Sequence, residues 1–339
     1  MLRSAPKTLI AITATEQRDF FPAALFEQLL GLVPNHVFFD PSKNRANDWL
    51  CCLSEVQPEI LVSCWNTPRL PPNHSIGGCG HLKYICHLSG SVRQLITSSQ
   101  IESGLLVTNW GNSVSRVIAE NGLFLTIAAL RQATHWGMAM HQEGGWKCDD
   151  TEFFSLFGRS VGLHGFGAIG QELARLMQPF KVRLQAYSPS VPDSLLMQFG
   201  VERVHSLERL FSDNEVLIEL AALTPKNKAI VNEAMLRRLR VGSVFVNIGR
   251  GAVVDEKALV RVAREGNVQF ALDVFEVEPL PADSCLRGLR NVTLLPHLSG
   301  PTTDRRCDAG QFALENLQRY LRAQALQALI TVETYARST

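Results

Sequence analysis

The chain has 339 residues, too many for one ordinary hydrophobic core, so two domains are expected. Its 46% hydrophobic and 19% charged residues exclude a disordered protein, and a formal net charge of +1 implies no overall attraction to nucleic acid or to a membrane surface. Any anion must be held locally.

From the N-terminus, Thr8 to Ala14 is an apolar run too short for a secretory hydrophobic region or a bilayer crossing, and it reads as a first β-strand. No later apolar run is long enough to span a membrane, so a cytoplasmic protein is expected. Further strand candidates follow at His36 to Phe39, Ile60 to Cys64, Lys83 to Cys86 and Leu105 to Thr108. Helix candidates stand between them at Pro22 to Leu30 and Arg45 to Glu55, the alternation of βαβ units. Arg116 to Arg131 carries Val117, Ile118, Leu123, Phe124, Ile127 and Leu130 at helical spacing.

From Gly158 the alternation restarts, with strands at Ser160 to His164, Val182 to Tyr187 and Val216 to Ala221, then apolar runs reaching Arg250, Asp273 and His297. Gln311 to Ala325 reads as a closing helix, with an apolar face of Phe312, Leu314, Leu317, Tyr320 and Leu321. The expected fold is α/β: a Rossmann-type doubly wound parallel sheet over residues 106–302, plus a smaller flavodoxin-like α/β substrate domain from residues 1–105 and 303–339. Eight cysteines (Cys51, Cys52, Cys64, Cys79, Cys86, Cys148, Cys285, Cys307) form neither a CxxC pair nor a zinc-ligand spacing, so reduced thiols and no metal are expected.

Gly165-Phe-Gly167-Ala-Ile-Gly170 is preceded by a strand and opens a helical stretch, the context in which a GxGxxG turn binds a dinucleotide. Gly165 allows the tight turn, Gly167 lets the backbone approach pyrophosphate, and Gly170 packs helix against strand. Ser188 follows the second strand, where a ribose-reading Asp or Glu is usual. No arginine stands beside it in sequence, so NAD and NADP both remain open, and Arg203 or Arg183 would contribute only if the fold brought it near. Arg250, Asp273, Glu278 and His297 fall at or beyond the carboxyl ends of three further strands, where side chains converge in an open parallel sheet.

The segments Leu163-His-Gly-Phe-Gly-Ala-Ile-Gly170, Leu223-Thr-Pro-Lys-Asn227, Val246-Asn-Ile-Gly-Arg-Gly-Ala-Val-Val-Asp255, Ala271-Leu-Asp-Val-Phe-Glu-Val-Glu-Pro279 and Leu295-Pro-His-Leu-Ser-Gly300 resemble, in order, the D-isomer-specific 2-hydroxyacid dehydrogenases. The N-terminal third matches loosely, through Leu88-Ser-Gly-Ser91, Val107-Thr-Asn109 and Ala119-Glu120. The resemblance implies a hydride exchange between NAD(P)H and a small 2-keto or D-2-hydroxy acid, with Arg250, Glu278 and His297 as the catalytic trio. A guanidinium engages a carboxylate and its neighbouring ketone bidentately, and a histidine oriented by a carboxylate delivers the proton.

The resemblance also assigns Ala168 and Ile169 to the phosphates, Leu223, Thr224 and Asn227 to the adenosine and ribose side, Ile248, Gly249 and Gly300 to the neighbourhood of the ring, and Asp273 to the carboxamide. Ser89, Gly90 and Ser91 would meet the substrate carboxylate, with Cys86 close by. It implies a homodimer, for which Arg131 to Trp146 is the candidate arm. Glu219-Leu-Ala-Ala222, Arg116 and Asn121 depart from the family pattern, which bears on the adenine pocket and the hinge. Trp65, Asn66 and Trp110 read either as substrate-sizing residues or as packing. The alternative reading is a dinucleotide-sensing interaction protein of the corepressor type, with little turnover.

Overall fold

Short aliphatic runs become the strands of two wholly parallel sheets in the computed structural model, which describes residues 5–72 and 81–337. Cys79 lies outside the described residues. The chain divides into one unit made of residues up to Val114 and from Thr302 onward, and a second spanning Ser115–Pro301.

In the first unit, β1 (Thr8–Ala11), β2 (His36–Phe38), β3 (Ile60–Ser63), β4 (Tyr84–His87) and β5 (Leu106–Thr108) lie in the order β2-β1-β3-β4-β5. That is the flavodoxin-like doubly wound order, whose chain direction reverses between β1 and β3. Strands buried on both faces need apolar residues throughout, which is why β1 and β3 read as continuous hydrophobic runs. Leu9, Leu61, Ile85 and Val107 face Trp49 and Leu53 of the helix Ala46–Val56. Because β5 pairs with β4, this unit extends to Val114, past the expected limit at residue 105.

The closing helix spans Arg306–Leu321 and so begins and ends earlier than its apolar pattern suggested. Its buried face mixes the small Ala309, Gly310 and Ala313 with Leu314 and Leu317, and Gly310 lets it lie directly on the backbone of Phe20 at the end of the helix Ala14–Phe20. After Leu321 the chain folds back, with the Gln327 N–H donating to Asn316 Oδ1 at 2.8 Å.

In the second unit, β6 (Ser160–His164), β7 (Arg183–Tyr187), β8 (Glu202–Arg203), β9 (Val216–Glu219), β10 (Val244–Asn247), β11 (Gln269–Leu272) and β12 (Val292–Leu294) lie in the order β12-β11-β10-β9-β6-β7-β8. This is the Rossmann arrangement with one added edge strand, and its switch point falls between β6 and β9. Val161, Leu163, Ile218 and Val246 pack on the helices Ser115–Leu130 and Ala168–Met177, while Leu217, Phe245 and Phe270 pack on Phe211, Leu236 and Leu259 behind. The helices Leu207–Asp213 and Glu256–Arg264, not anticipated from the sequence, are N-capped by Ser206 and Asp255 side chains. Among the described residues no helix is long and apolar enough to cross a membrane.

A Cβ added at Gly310 would overlap the backbone carbonyl of Phe20, whereas one added at Gly137, in the helix Ala133–Gln142, would meet nothing within 4 Å. Gly310→Ala is therefore expected to destabilise the first unit by about 3 kcal/mol, the upper range for overpacking. Gly137→Ala is expected to be neutral or to stabilise by up to about 1 kcal/mol. Urea unfolding midpoints of the two variants check the contrast.

Candidate active site

At the end of β6 the chain turns through Gly165, whose φ of 95° suits glycine and whose absent Cβ leaves room for the Ala221 N–H, 3.1 Å from where that atom would sit. Gly167 is the N-cap of the helix Ala168–Met177, makes no side-chain cap, and has nothing within 4 Å of its Cβ position. The first turn of that helix, with Ala168 and Ile169, thus opens on clear space with backbone donors and a positive dipole end. This geometry fits a dinucleotide pyrophosphate. Gly170 packs on Phe166, whose ring would lie 3.1 Å from a Cβ at that position.

Ser188 is buried, and its Oγ accepts the Phe166 N–H at 3.2 Å, so it braces the glycine turn. The fold brings Arg203 beside it: Nη1 donates to the Ser188 carbonyl at 3.0 Å, and the same guanidinium pairs with Asp193 and the Val191 carbonyl. Tyr187, Pro189, Asp193, Arg203 and His205 line a cavity of about 560 Å³ at this edge of the sheet. A cation and an anion both stand there, in keeping with either NAD or NADP. Thr224 and Asn227 close a turn on each other, with Asn227 Oδ1 accepting from Thr224 N (2.6 Å) and Oγ1 (2.9 Å), and Leu223 packs on the core beneath.

At the end of β10, Asn247 shapes the turn that carries Arg250. Its Oδ1 accepts the Gly249 N–H at 3.1 Å and its Nδ2 donates to the Arg250 carbonyl at 3.2 Å. Ile248 is buried, its Cδ1 lying 2.8 Å from where a Gly122 Cβ would stand. Gly251 follows, and a Cβ there would overlap the backbone carbonyl of Phe275. Only glycine lets the turn after β10 lie against the loop that follows β11. Through that contact Arg250 comes under the influence of Glu278: burial lowers the guanidinium's pKa, and the Glu278 charge opposes the shift. An arginine remains a cation throughout.

Glu278 Oε1 accepts the Phe275 N–H at 3.0 Å, and its Oε2 lies 2.7 Å from His297 Nδ1. His297 is half-exposed, so Nε2 is the nitrogen left for a reacting group. Its φ of 54° is uncommon for a non-glycine residue, and Asp273 explains how it is held. The fully buried Asp273 carboxylate accepts the Leu298 N–H at 2.7 Å and the Ser299 N–H at 2.8 Å, while the Asp273 carbonyl accepts from His297 N at 3.0 Å. The residue assigned to a carboxamide is thus also the clamp on the histidine turn. Asn121 Nδ2 joins by donating to Ser299 Oγ at 2.5 Å, beside Gly300.

Ser89, Gly90 and Ser91 belong to the first unit, immediately after β4. Ser89 Oγ lies 2.7 Å from Nε2 of His87, whose Nδ1 lies 2.9 Å from Ser63 Oγ. Complete burial brings the His87 pKa down to about 4, so the ring is neutral and serves as a hydrogen-bonded strut under the loop. Cys86 is buried and its thiol pKa is pushed up to about 12, which removes it as a nucleophile.

The sequence did not reveal one buried pair. His164 ends β6 and Glu219 ends β9; they are register partners, with Nδ1 and Oε2 2.5 Å apart, and Glu219 Oε1 also accepts the Ala221 N–H at 2.7 Å. The polar residue closing each of two apolar strands was the available signal. Burial is the largest influence on the His164 pKa and lowers it, but the charge and hydrogen bond of Glu219 together outweigh it, so the net shift is upward from 6.5. A raised folded-state pKa stabilises fully below the unfolded value and is lost as pH rises through the folded one. Glu219→Gln is therefore expected to cost about 3–5 kcal/mol below pH 6.5 and progressively less in more alkaline buffer. Thermal denaturation of both proteins between pH 5.5 and 9 checks it, and a difference independent of pH would contradict it.

Comparison with known proteins agrees with this geometry. Residues 123–299 match the family model described as D-isomer specific 2-hydroxyacid dehydrogenase, NAD binding domain. A hydroxypyruvate reductase of Thermotoga maritima is 31% identical over 273 residues, 79% of this chain and 87% of that protein. A D-3-phosphoglycerate dehydrogenase of Methanocaldococcus jannaschii is 30% identical over 74% of this chain, which spans about half of that relative's length (48%). A crystal structure of a glyoxylate reductase from Paecilomyes thermophila superposes with a TM-score of 0.79 and 25% identity, covering 96% of this chain and 98% of that one. The glycine cradle, the strand-end arginine and the carboxylate-held histidine thus stand where the matched family keeps its nucleotide domain, and the chain belongs to the D-isomer-specific 2-hydroxyacid dehydrogenases, NAD(P)-dependent oxidoreductases.

Proposed function

We propose that this protein reduces a small 2-keto acid to its D-2-hydroxy acid, with Arg250 as the substrate anchor and His297, held by Glu278, as the proton donor. The observation that carries the reading is the 2.7 Å bond from Glu278 to His297 Nδ1, beside an arginine charged at any working pH. The bound nicotinamide cofactor supplies the hydride; Ala168, Ile169 and the glycines from Gly165 to Gly170 would hold its phosphates. Arg250 grips the substrate carboxylate and draws electron density from the ketone. Negative charge developing on the carbonyl oxygen is met by a proton from His297 Nε2, and Glu278 fixes the ring so that this nitrogen faces the reaction. Ser89, Gly90 and Ser91, in the first unit, are proposed to donate hydrogen bonds to a substrate carboxylate. The domain roles follow: dinucleotide binding for the second unit and substrate binding for the first.

Glyoxylate and hydroxypyruvate, the acids in the relatives' names, support a 2-keto acid as the substrate class. Oxidation of NADH and of NADPH, followed by absorbance, should show turnover with at least one of glyoxylate, hydroxypyruvate, pyruvate, phenylpyruvate and phosphohydroxypyruvate. His297→Asn should lower kcat by about 10²–10⁴-fold, and Arg250→Lys, which loses the fork, should raise KM sharply. Dinucleotide binding without reduction of any keto acid would contradict the proposal.

We also propose a homodimer and a cytoplasmic setting, the latter supported by seven free cysteines among the described residues. The helix Ala133–Gln142 and the segment after it expose Met140 (52%), Trp146 (73%) and Phe153 (51%) around one apolar cavity. Large exposed aromatics gathered in one place mark a protein–protein surface. Sedimentation should give a dimer for the native chain and a monomer for Trp146→Glu combined with Met140→Glu.

A further inference from the structure

Ligands of doubly wound sheets bind where the chain direction reverses, and in the first unit that point lies between β1 and β3. The residue two positions beyond β3 is Trp65. Its indole is held from three directions: edge-on by Phe20 (centroids 5.2 Å apart), by Trp110 (6.1 Å), and across its face by the Arg306 guanidinium at 5.1 Å. Arg306 is in turn fixed by the buried Asp19, Nη1 to Oδ2 2.6 Å. Next to Trp65, Asn66 is tied to the buried Glu16, whose Oε1 accepts from both its backbone N (3.0 Å) and its Nδ2 (2.9 Å). Despite all this fixing, Trp65 keeps 44% of its surface exposed.

Trp110 connects this indole to the loop proposed to take the substrate carboxylate. Its ring lies so close to Gly90 that a Cβ there would stand 2.7 Å from it, and the Trp110 backbone N–H donates to the Ser89 carbonyl at 3.4 Å. Asn109 Nδ2 donates to the Gly90 carbonyl at 2.6 Å. Trp110 therefore lies against the loop proposed to take the carboxylate, and Trp65 lies against Trp110, so within the first unit an aromatic wall follows that loop. A core tryptophan would be buried, and a loop tryptophan would not be braced by an arginine, a phenylalanine and a second indole.

We propose that Trp65 and Trp110 select 2-keto acids carrying a flat aromatic side chain, of the phenylpyruvate kind, over the two-carbon glyoxylate. The inference rests on the functional reading above and names its substrate class. With the carboxylate on the Ser89–Ser91 loop, the side chain of a 2-keto acid lies along the wall, and an offset or edge-on aromatic pair adds to simple burial of apolar area.

The test compares kcat/KM for phenylpyruvate and glyoxylate in the native protein, Trp65→Ala, Trp65→Phe and His297→Asn. Native preference for phenylpyruvate of about 10-fold or more, lost in Trp65→Ala and largely kept in Trp65→Phe, supports the inference. Quenching of tryptophan fluorescence by phenylpyruvate, present in the native protein and diminished in Trp65→Phe, supports it without relying on turnover. If glyoxylate is preferred, or if Trp65→Ala leaves the ratio unchanged or raises it, Trp65 is a filler and the inference is overturned. Those results differ from failure of the functional reading, in which neither acid is reduced or reduction survives His297→Asn.

Discussion

The close approach of two backbones, Gly251 against the Phe275 carbonyl, is the constraint on which the proposed reaction centre depends. Parallel strands deliver their side chains to one edge of a sheet, but neighbouring strand ends do not by themselves converge to hydrogen-bonding distance. Here the turn leaving β10 lies directly on the loop leaving β11, because the residue between has no side chain. Arg250 is thereby buried next to Glu278, and Glu278 is aimed by a backbone bond from Phe275, the same residue that Gly251 touches. One missing methyl group couples the proposed substrate anchor to the carboxylate proposed to orient the acid.

Three carboxylates in the second unit do three different jobs, set by their partners. Asp273, fully buried, spends its charge on two backbone N–H groups and so fixes the turn bearing His297. Such charge-assisted bonds are stronger than neutral ones and keep a left-handed histidine in place. Glu219, equally buried, faces His164 across the switch point and binds the exit of β9 through the Ala221 N–H. Glu278, more exposed, meets a histidine whose other nitrogen is left for chemistry. The two inner carboxylates shape the backbone at which the dinucleotide and the reacting groups are proposed to meet; the outer one takes part in the proposed reaction.

Much of this was legible in the sequence, for physical reasons. Glycines in GxGxxG act locally, so Gly165, Gly167 and Gly170 declare a turn and a helix start without help from distant residues. Buried parallel strands must be apolar, so the β6, β9, β10 and β11 runs stand out. What escaped detection depends on register and on distance along the chain. His164 and Glu219 are 55 residues apart, and only the pairing of β6 with β9 makes them partners. Asp273 was recognised as a strand-end carboxylate, but its use as a backbone clamp requires the path of residues 297–299. Arg203 lay 15 residues beyond Ser188 and was brought to its carbonyl by the small strand β8. The start of the closing helix was missed because its first buried residues are Ala309 and Gly310, which hydrophobic periodicity does not register.

The most direct measurement on the central claim is kinetic and binding analysis of Gly251→Ala. The variant leaves Arg250, Glu278 and His297 chemically intact and alters only the separation of two loops. If that contact sets the reaction centre, kcat/KM for the best keto acid falls about 100-fold or more, as expected for a displacement near 1 Å, while NADH or NADPH still binds the glycine cradle with native affinity. A folded variant with native kcat/KM would contradict the account.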